Sequence, residues 1–96
     1  MKRDEAIAIL KEHEQPLKRF GVTSLAIFGS VARDEAMPES DIDILVEFIE
    51  PPTFDRYMNL KFYLEDHLGQ IVDLVSYKML KPQIRQIVEK EAIHVA

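Results

Sequence analysis

The segment at 41–48, DIDILVEF, alternates between apolar side chains and side chains that are mostly acidic. In an extended strand, successive side chains point to opposite faces of the sheet. One face of this strand would be entirely apolar, with Ile42, Ile44, Val46 and Phe48. The other face would present Asp41, Asp43, Leu45 and Glu47. The pattern predicts a strand that needs a packed layer on one side and holds two aspartates side by side on the other.

Two further segments have the composition of buried strands, and helical patterns separate all three. VTSLAIF at 22–28 and IVDLVSY at 71–77 are rich in branched and apolar residues. Apolar residues recur at helical spacing at 3–14, at 54–68 and from Pro82 onward. Helices that alternate with three strands predict a two-layer α/β domain. The last residues, AIHVA, would add a short edge strand.

Length, composition and charge exclude several classes of protein. The chain has 96 residues, 47% of them hydrophobic, and this predicts a single domain over residues 1–96. No apolar run approaches the roughly 20 residues that span a bilayer. We therefore expect a cytoplasmic protein with no membrane partner. The net charge of −5 argues against binding to extended nucleic acid.

Side chains that commonly bind transition metals are scarce. The chain has no cysteine, which removes thiolate ligands and disulfides. His13, His67 and His94 lie too far apart in sequence to indicate a zinc motif. Any bound metal is therefore expected to have oxygen ligands.

The two aspartates of the alternating strand are the first candidate functional residues. Like charges at this spacing repel, and burying them without a partner is costly. A divalent cation would relieve the repulsion. Asp73, flanked by Val72 and Leu74, could add a third carboxylate from a neighbouring strand. Three carboxylates on one sheet face suit Mg²⁺ or Mn²⁺ completed by water and substrate phosphates.

Gly29 and Ser30 form the second candidate feature, at the end of the first strand. A glycine lets a phosphate approach the backbone, and amides at the start of the following helix can donate to an anion. Ser30 adds a hydroxyl. A turn that holds a triphosphate beside carboxylates that hold two metal ions is suited to in-line attack at phosphorus. The residues therefore predict nucleotidyl transfer.

The spacing of these residues resembles the signature of the DNA polymerase β-like nucleotidyltransferase superfamily. The signature is Gly29-Ser30, ten residues, and then Asp41-Ile42-Asp43. The short chain, from the first helix through IVDLVS, resembles the minimal nucleotidyltransferase (MNT) branch. This resemblance implies a two-layer α+β nucleotidyltransferase core with a small mixed sheet packed against helices.

The resemblance also implies roles for the candidate residues. Asp41 and Asp43 would bind two Mg²⁺ ions, and Asp73 would help one ion to activate the incoming hydroxyl. Gly29, Ser30 and Arg33 would bind the nucleotide.

One departure from the family pattern concerns the turn helix. Asp34 follows Arg33 here, whereas members often have glycine at that position. The role of Arg33 therefore stays open, since it could equally form a surface ion pair with Glu35 or Asp34.

Members of this kind are commonly the antitoxin half of a two-gene system. The resemblance implies an enzyme that transfers AMP from ATP to a tyrosine of a HEPN-domain ribonuclease toxin, with which it could form a hetero-oligomer. One alternative is a small-molecule nucleotidyltransferase of the aminoglycoside type, whose acceptor pocket would need a homo-oligomer. Another is a non-catalytic antitoxin that neutralises its toxin by binding. Since only about twenty residues follow Asp73, we expect a partner to supply most of the acceptor site.

Overall fold

The computed structural model describes residues 1–95, which form a four-stranded sheet with helices on both faces. The strands are β1 (Val22–Phe28), β2 (Ile42–Phe48), β3 (Val72–Ser76) and β4 (Ile93–His94). Their order across the sheet is β3-β2-β1-β4. β2 and β3 are parallel, whereas β1 is antiparallel to both β2 and β4, so the sheet is mixed. Of the strand predicted at 92–96, Ile93–His94 is confirmed, and Ala96 lies outside the described residues.

The helices follow the predicted alternation with the strands. They are α1 (Arg3–Glu12), α2 (Glu14–Arg19), α3 (Gly29–Ala32), α4 (Phe54–Leu68) and α5 (Pro82–Glu91). The side chain of Thr53 accepts a hydrogen bond from the Arg56 amide at 3.1 Å and caps the start of α4. Gly69 ends this helix in the left-handed conformation. Within residues 1–95, no helix is both long and apolar enough to cross a bilayer.

The first face of the sheet contains the main hydrophobic core. The apolar side chains of β2 pack there against Leu10 of α1, Leu17 of α2, and Leu60 and Leu64 of α4. All four of these leucines are at most 1% exposed. Helices α1, α2 and α4 therefore form one layer, and the sheet forms the next.

The second face is smaller and is covered in part by α5. Its buried cluster consists of Ala26, Leu45 and Val88. The helical spacing from Pro82 onward predicted that Ile84 and Ile87 would point inward together with Val88. This prediction was wrong for the two isoleucines, which are 44% and 65% exposed. Of these three α5 side chains, only Val88 packs into the cluster, so a single row of α5 meets the sheet.

Candidate functional site

The parallel pairing of β2 and β3 brings two of the predicted carboxylates together. Asp43 and Asp73 are direct cross-strand partners, so their side chains lie on the same face of the sheet. This is the second face, which also contains Leu45. Asp41 lies one residue before β2 and is exposed.

Gly29 is held directly against Asp43. The pairing of Phe28 with Asp43 brings the end of β1 beside the start of β2. A Cβ atom on Gly29 would lie 2.1 Å from Oδ2 of Asp43, which is far inside van der Waals contact. Gly29 also has a φ of +69°, a conformation that strongly favours glycine. The Gly-Ser turn therefore lies against Asp43, which in turn pairs with Asp73.

The electrostatics of the site disfavour ionisation of Asp43. Burial, together with the neighbouring charges of Asp73 and Asp41, raises the pKa of Asp43 from 3.8 to about 6. The positive charge of Arg33 opposes this rise. The site therefore holds more negative charge than its own cation balances.

This excess of negative charge fits the oxygen-ligand chemistry of Mg²⁺. Asp43 and Asp73 are paired across the two strands, and Asp41 is close enough for its charge to raise the pKa of Asp43. Within residues 1–95, however, no three acidic, histidine or cysteine side chains form a ready-made metal cluster. The assignment of Asp41, Asp43 and Asp73 as metal ligands stays a prediction.

Arg33 points back toward the Gly-Ser turn and makes two ion pairs. Its Nε donates to Glu35 at 3.3 Å, which was one of the alternatives left open by the sequence. Its Nη1 donates to both carboxylate oxygens of Glu91 at 3.1 Å. The Gly29 amide donates to Glu91 Oε1 at 2.7 Å. Glu91 was missed in the sequence because it lies 58 residues from Arg33, at the end of α5.

Asp34, which stands where family members often have glycine, adopts a backbone conformation that glycine favours. It has a φ of +59°, and it is the one residue other than glycine with a positive φ among residues 1–95. Aspartate and asparagine tolerate this conformation better than most residues other than glycine. Asp34 does not pair with Arg33, and its Oδ1 instead accepts from the Arg3 amide at 3.4 Å. The turn therefore keeps the backbone that glycine would adopt.

Two histidines that are distant in sequence meet in the fold. The rings of His13 and His67 stack with centroids 3.9 Å apart, and His13 Nδ1 lies 2.8 Å from the Tyr63 hydroxyl. Their separation in sequence was thus a poor guide to their separation in space. In the part of the chain that is described, no third metal-binding side chain joins them in a suitable arrangement.

An apolar groove of about 470 Å³ lies away from the carboxylates. Its lining includes Phe48, Pro52, Phe54, Tyr57 and Met79. Phe48 ends β2 five residues after Asp43, which corresponds to roughly 16 Å along the strand. The groove therefore does not enclose the Gly-Ser turn or the aspartates.

Comparison with known proteins gives extensive similarity. The model of the nucleotidyltransferase domain family matches residues 6–95. Protein adenylyltransferase MntA of Thermococcus cleftensis is 43% identical over 93 residues, which cover 96% of this chain and 94% of that relative. A candidate protein adenylyltransferase of Methanocaldococcus jannaschii is 47% identical over 89 residues, which cover 91% of each chain.

Solved structures share the fold. A candidate minimal nucleotidyltransferase has a TM-score of 0.78 and 39% identity, and the match covers 97% of this chain and 95% of that chain. A complex of a tri-AMPylated Shewanella oneidensis HEPN toxin with an MNT antitoxin gives a TM-score of 0.62 at 20% identity, covering 91% and 70%. The predicted α+β fold with a small mixed sheet is confirmed.

Proposed function

The chain belongs to the nucleotidyltransferase domain family and is an enzyme of that class, and we propose that it transfers AMP from ATP to a tyrosine of a HEPN-family ribonuclease toxin. The observation that most strongly supports transfer is the contact of the Gly-Ser turn with Asp43, which pairs with Asp73. Relatives of nearly equal length named protein adenylyltransferases support a protein acceptor. The Shewanella complex supports a HEPN toxin as that acceptor and an antitoxin role for this chain.

The turn would bind the triphosphate of ATP. Ser30 would contribute its hydroxyl, and Arg33 would contribute a guanidinium group that lies at the surface with its side chain 45% exposed. Because Gly29 has no side chain, the nucleotide could approach the backbone beside Asp43. These contacts would orient the α-phosphorus toward an acceptor on the second face of the sheet.

Asp41, Asp43 and Asp73 would hold the metal, for which we propose two Mg²⁺ ions. When bound, Mg²⁺ would stabilise the charge that develops on the phosphate oxygens and on the attacking oxygen. The tyrosine oxygen forms a bond to the α-phosphorus, while the bond from that phosphorus to the bridging oxygen breaks and releases pyrophosphate. The exposed Asp73 would accept the proton of the tyrosine hydroxyl.

Intact-mass spectrometry of a HEPN-family toxin tests the proposal directly. After incubation with this protein, ATP and Mg²⁺, the toxin should gain the mass of one or a few AMP groups, and peptide mapping should locate them on tyrosine. Omission of Mg²⁺, or use of the Asp43→Asn variant, should leave the toxin mass unchanged. A toxin that is inhibited without any mass change would instead establish a non-catalytic antitoxin. Failure to bind the toxin, together with AMP transfer to an aminoglycoside, would establish the small-molecule alternative.

A further inference from the structure

Glu91 connects the two nucleotide-binding elements of the proposed site through one carboxylate. Its Oε1 accepts from the Gly29 amide at 2.7 Å and from Arg33 Nη1 at 3.1 Å. Its Oε2 accepts from the same Nη1 at 3.1 Å. The Glu91 side chain is 27% exposed, whereas Arg33 is 45% exposed, so the pair extends from a partly covered carboxylate toward solvent. Hydrogen bonds between charged groups at these distances are stronger than neutral ones.

The fold fixes Glu91 at this position through the pairing of β4 with β1. In that antiparallel ladder, Ala26 pairs with His94 and Ile27 pairs with Ile93. Gly29 follows the last residue of β1 and Glu91 lies two residues before β4, so this pairing brings the end of α5 beside the Gly-Ser turn. The short link between α5 and β4, a single residue, leaves little freedom for the end of the helix. The carboxylate is thus placed by sheet register and not by the rotamer of a long surface side chain alone.

Glu35 and Glu91 hold the guanidinium group of Arg33 but leave one of its nitrogens free to bind a ligand. Nε is directed to Glu35 and Nη1 to Glu91, and Nη2 makes no hydrogen bond to any residue from 1 to 95. A guanidinium group has five donors in a rigid plane, so fixing two of its nitrogens also fixes the direction of the third. The free edge is therefore oriented before any ligand arrives.

We propose that Glu91 is a positioning residue that sets the Gly-Ser turn and Arg33 in their nucleotide-binding arrangement. The inference rests on the proposed function, since it assumes that these two elements bind the phosphates of Mg-ATP. A carboxylate that competed with phosphate would need to leave when ATP binds. Departure of Glu91 would remove the acceptor of the Gly29 amide, and Gly29 is buried. In the proposed arrangement Glu91 stays on the Gly29 amide, and phosphate binds to Ser30 and to the free edge of Arg33.

Calorimetric titration of Mg-ATP into the full chain tests this role. The Glu91→Gln variant retains an acceptor for the Gly29 amide but loses the ion pair with Arg33. We expect its affinity for Mg-ATP to fall by roughly 10-fold, in line with the loss of a charge-assisted hydrogen bond. Glu91→Ala should lose more. Glu89→Gln removes a carboxylate from the same helix, and this matched control should bind Mg-ATP as the wild type does, because Glu89 contacts Tyr77 and not the site.

A double-mutant cycle separates positioning from a general loss of structure. If Glu91 acts through Arg33, then Glu91→Gln should weaken Mg-ATP binding much less in an Arg33→Ala background than in the wild type. The melting temperatures of all variants are measured alongside. Full additivity of the two changes, or tighter binding by Glu91→Gln, would overturn the proposal, and tighter binding would show that the carboxylate competes with phosphate. Unchanged affinity in Glu91→Gln beside a wild type that binds would overturn this inference alone. A wild type that does not bind Mg-ATP with or without the toxin would overturn the proposed function as well.

Discussion

The two faces of β2 have opposite physical demands, although their residues alternate along one strand. Ile42, Ile44 and Val46 point to the first face and are fully buried in hydrocarbon. Asp43, between two of them, points to the second face, where burial and nearby carboxylates raise its pKa to about 6. The first face stabilises the fold, whereas the second accepts unfavourable charge. Substitutions one residue apart should therefore have different consequences.

The largest expected effect is a loss of catalysis when Asp43, on the second face, is replaced. Asp43→Asn removes a proposed metal ligand without changing side-chain size, so AMP transfer should fall by roughly 10³-fold, or about 4 kcal/mol of transition-state stabilisation. Circular dichroism should show an intact fold. Transfer to the toxin within a factor of a few of the wild-type rate would remove Asp43 from the proposed site.

The neighbouring residue on the apolar face should affect stability instead. Ile44 is 0% exposed, and Ile44→Ala leaves a cavity in the main core. The free energy of unfolding should fall by about 3 kcal/mol, which corresponds to roughly 15 °C in melting temperature for a chain of this size. Urea denaturation measures this loss. A loss below about 1 kcal/mol would show that the two faces differ less than the structure indicates.

Gly29→Ala should affect both properties, because Gly29 joins the backbone of β1 to the charged face. The new Cβ would meet Oδ2 of Asp43 at 2.1 Å, and a φ of +69° is itself unfavourable for alanine. We expect a loss of about 2 kcal/mol in stability together with weaker Mg-ATP binding. Gly69→Ala is a useful control, since it has a similar φ but no atom within 4 Å of the added carbon. Equal losses in the two variants would show that the contact with Asp43 contributes nothing.

The charge on the second face should also produce a pH-dependent stability difference. Because the pKa of Asp43 is raised from 3.8 to about 6, its ionised form destabilises the folded state, fully above pH 6 and not at all below pH 3.8. Without metal, Asp43→Asn should therefore raise the stability at pH 7.5 by about 1 kcal/mol after solvent screening is allowed for. The gain should shrink between pH 6 and pH 4. Melting curves at both ends of this range check the sign, and a larger gain at the acidic end would contradict it.

The smallest expected effect is at Asp34, in the turn that follows α3. Asp34→Gly removes the side chain from a left-handed residue and should change stability by no more than about 0.5 kcal/mol, since relief of strain is offset by greater freedom of the unfolded chain. Asp34→Ala should destabilise by about 1 kcal/mol. Chemical denaturation of the two variants gives the ordering. A more stable alanine variant would show that φ is not the controlling factor.

The sequence was informative where a contact depends on local pattern. Alternation along β2 predicted both its apolar and its charged face, and the Gly-Ser pair predicted the turn that now contacts Asp43. The sequence was uninformative where a contact depends on how distant segments pair. Glu91 reaches Gly29 only because β4 returns beside β1, and one charged residue among many on α5 has no local feature that marks it.

Packing on the second face shows the same limit. The spacing of Ile84, Ile87 and Val88 fits the buried side of a helix, but only Val88 is buried. A periodic pattern identifies which side chains share a helix face and does not show how much of that face the sheet can cover. The sequence likewise did not indicate that α4 would bring His67 onto His13, because that contact also depends on how distant segments pack.

The parallel pairing of β2 with β3 makes the pair of Asp43 and Asp73 depend on the completion of a long crossover connection. Parallel strands cannot be joined by a tight turn, and here the crossover contains the whole of α4. No short fragment of the chain can therefore present both carboxylates at the same level, and closing so long a loop is entropically slow. A cation that needs both of them would bind only to chains that have completed the crossover. Its uptake during refolding would thus measure the arrival of the native topology and not the earlier formation of individual helices.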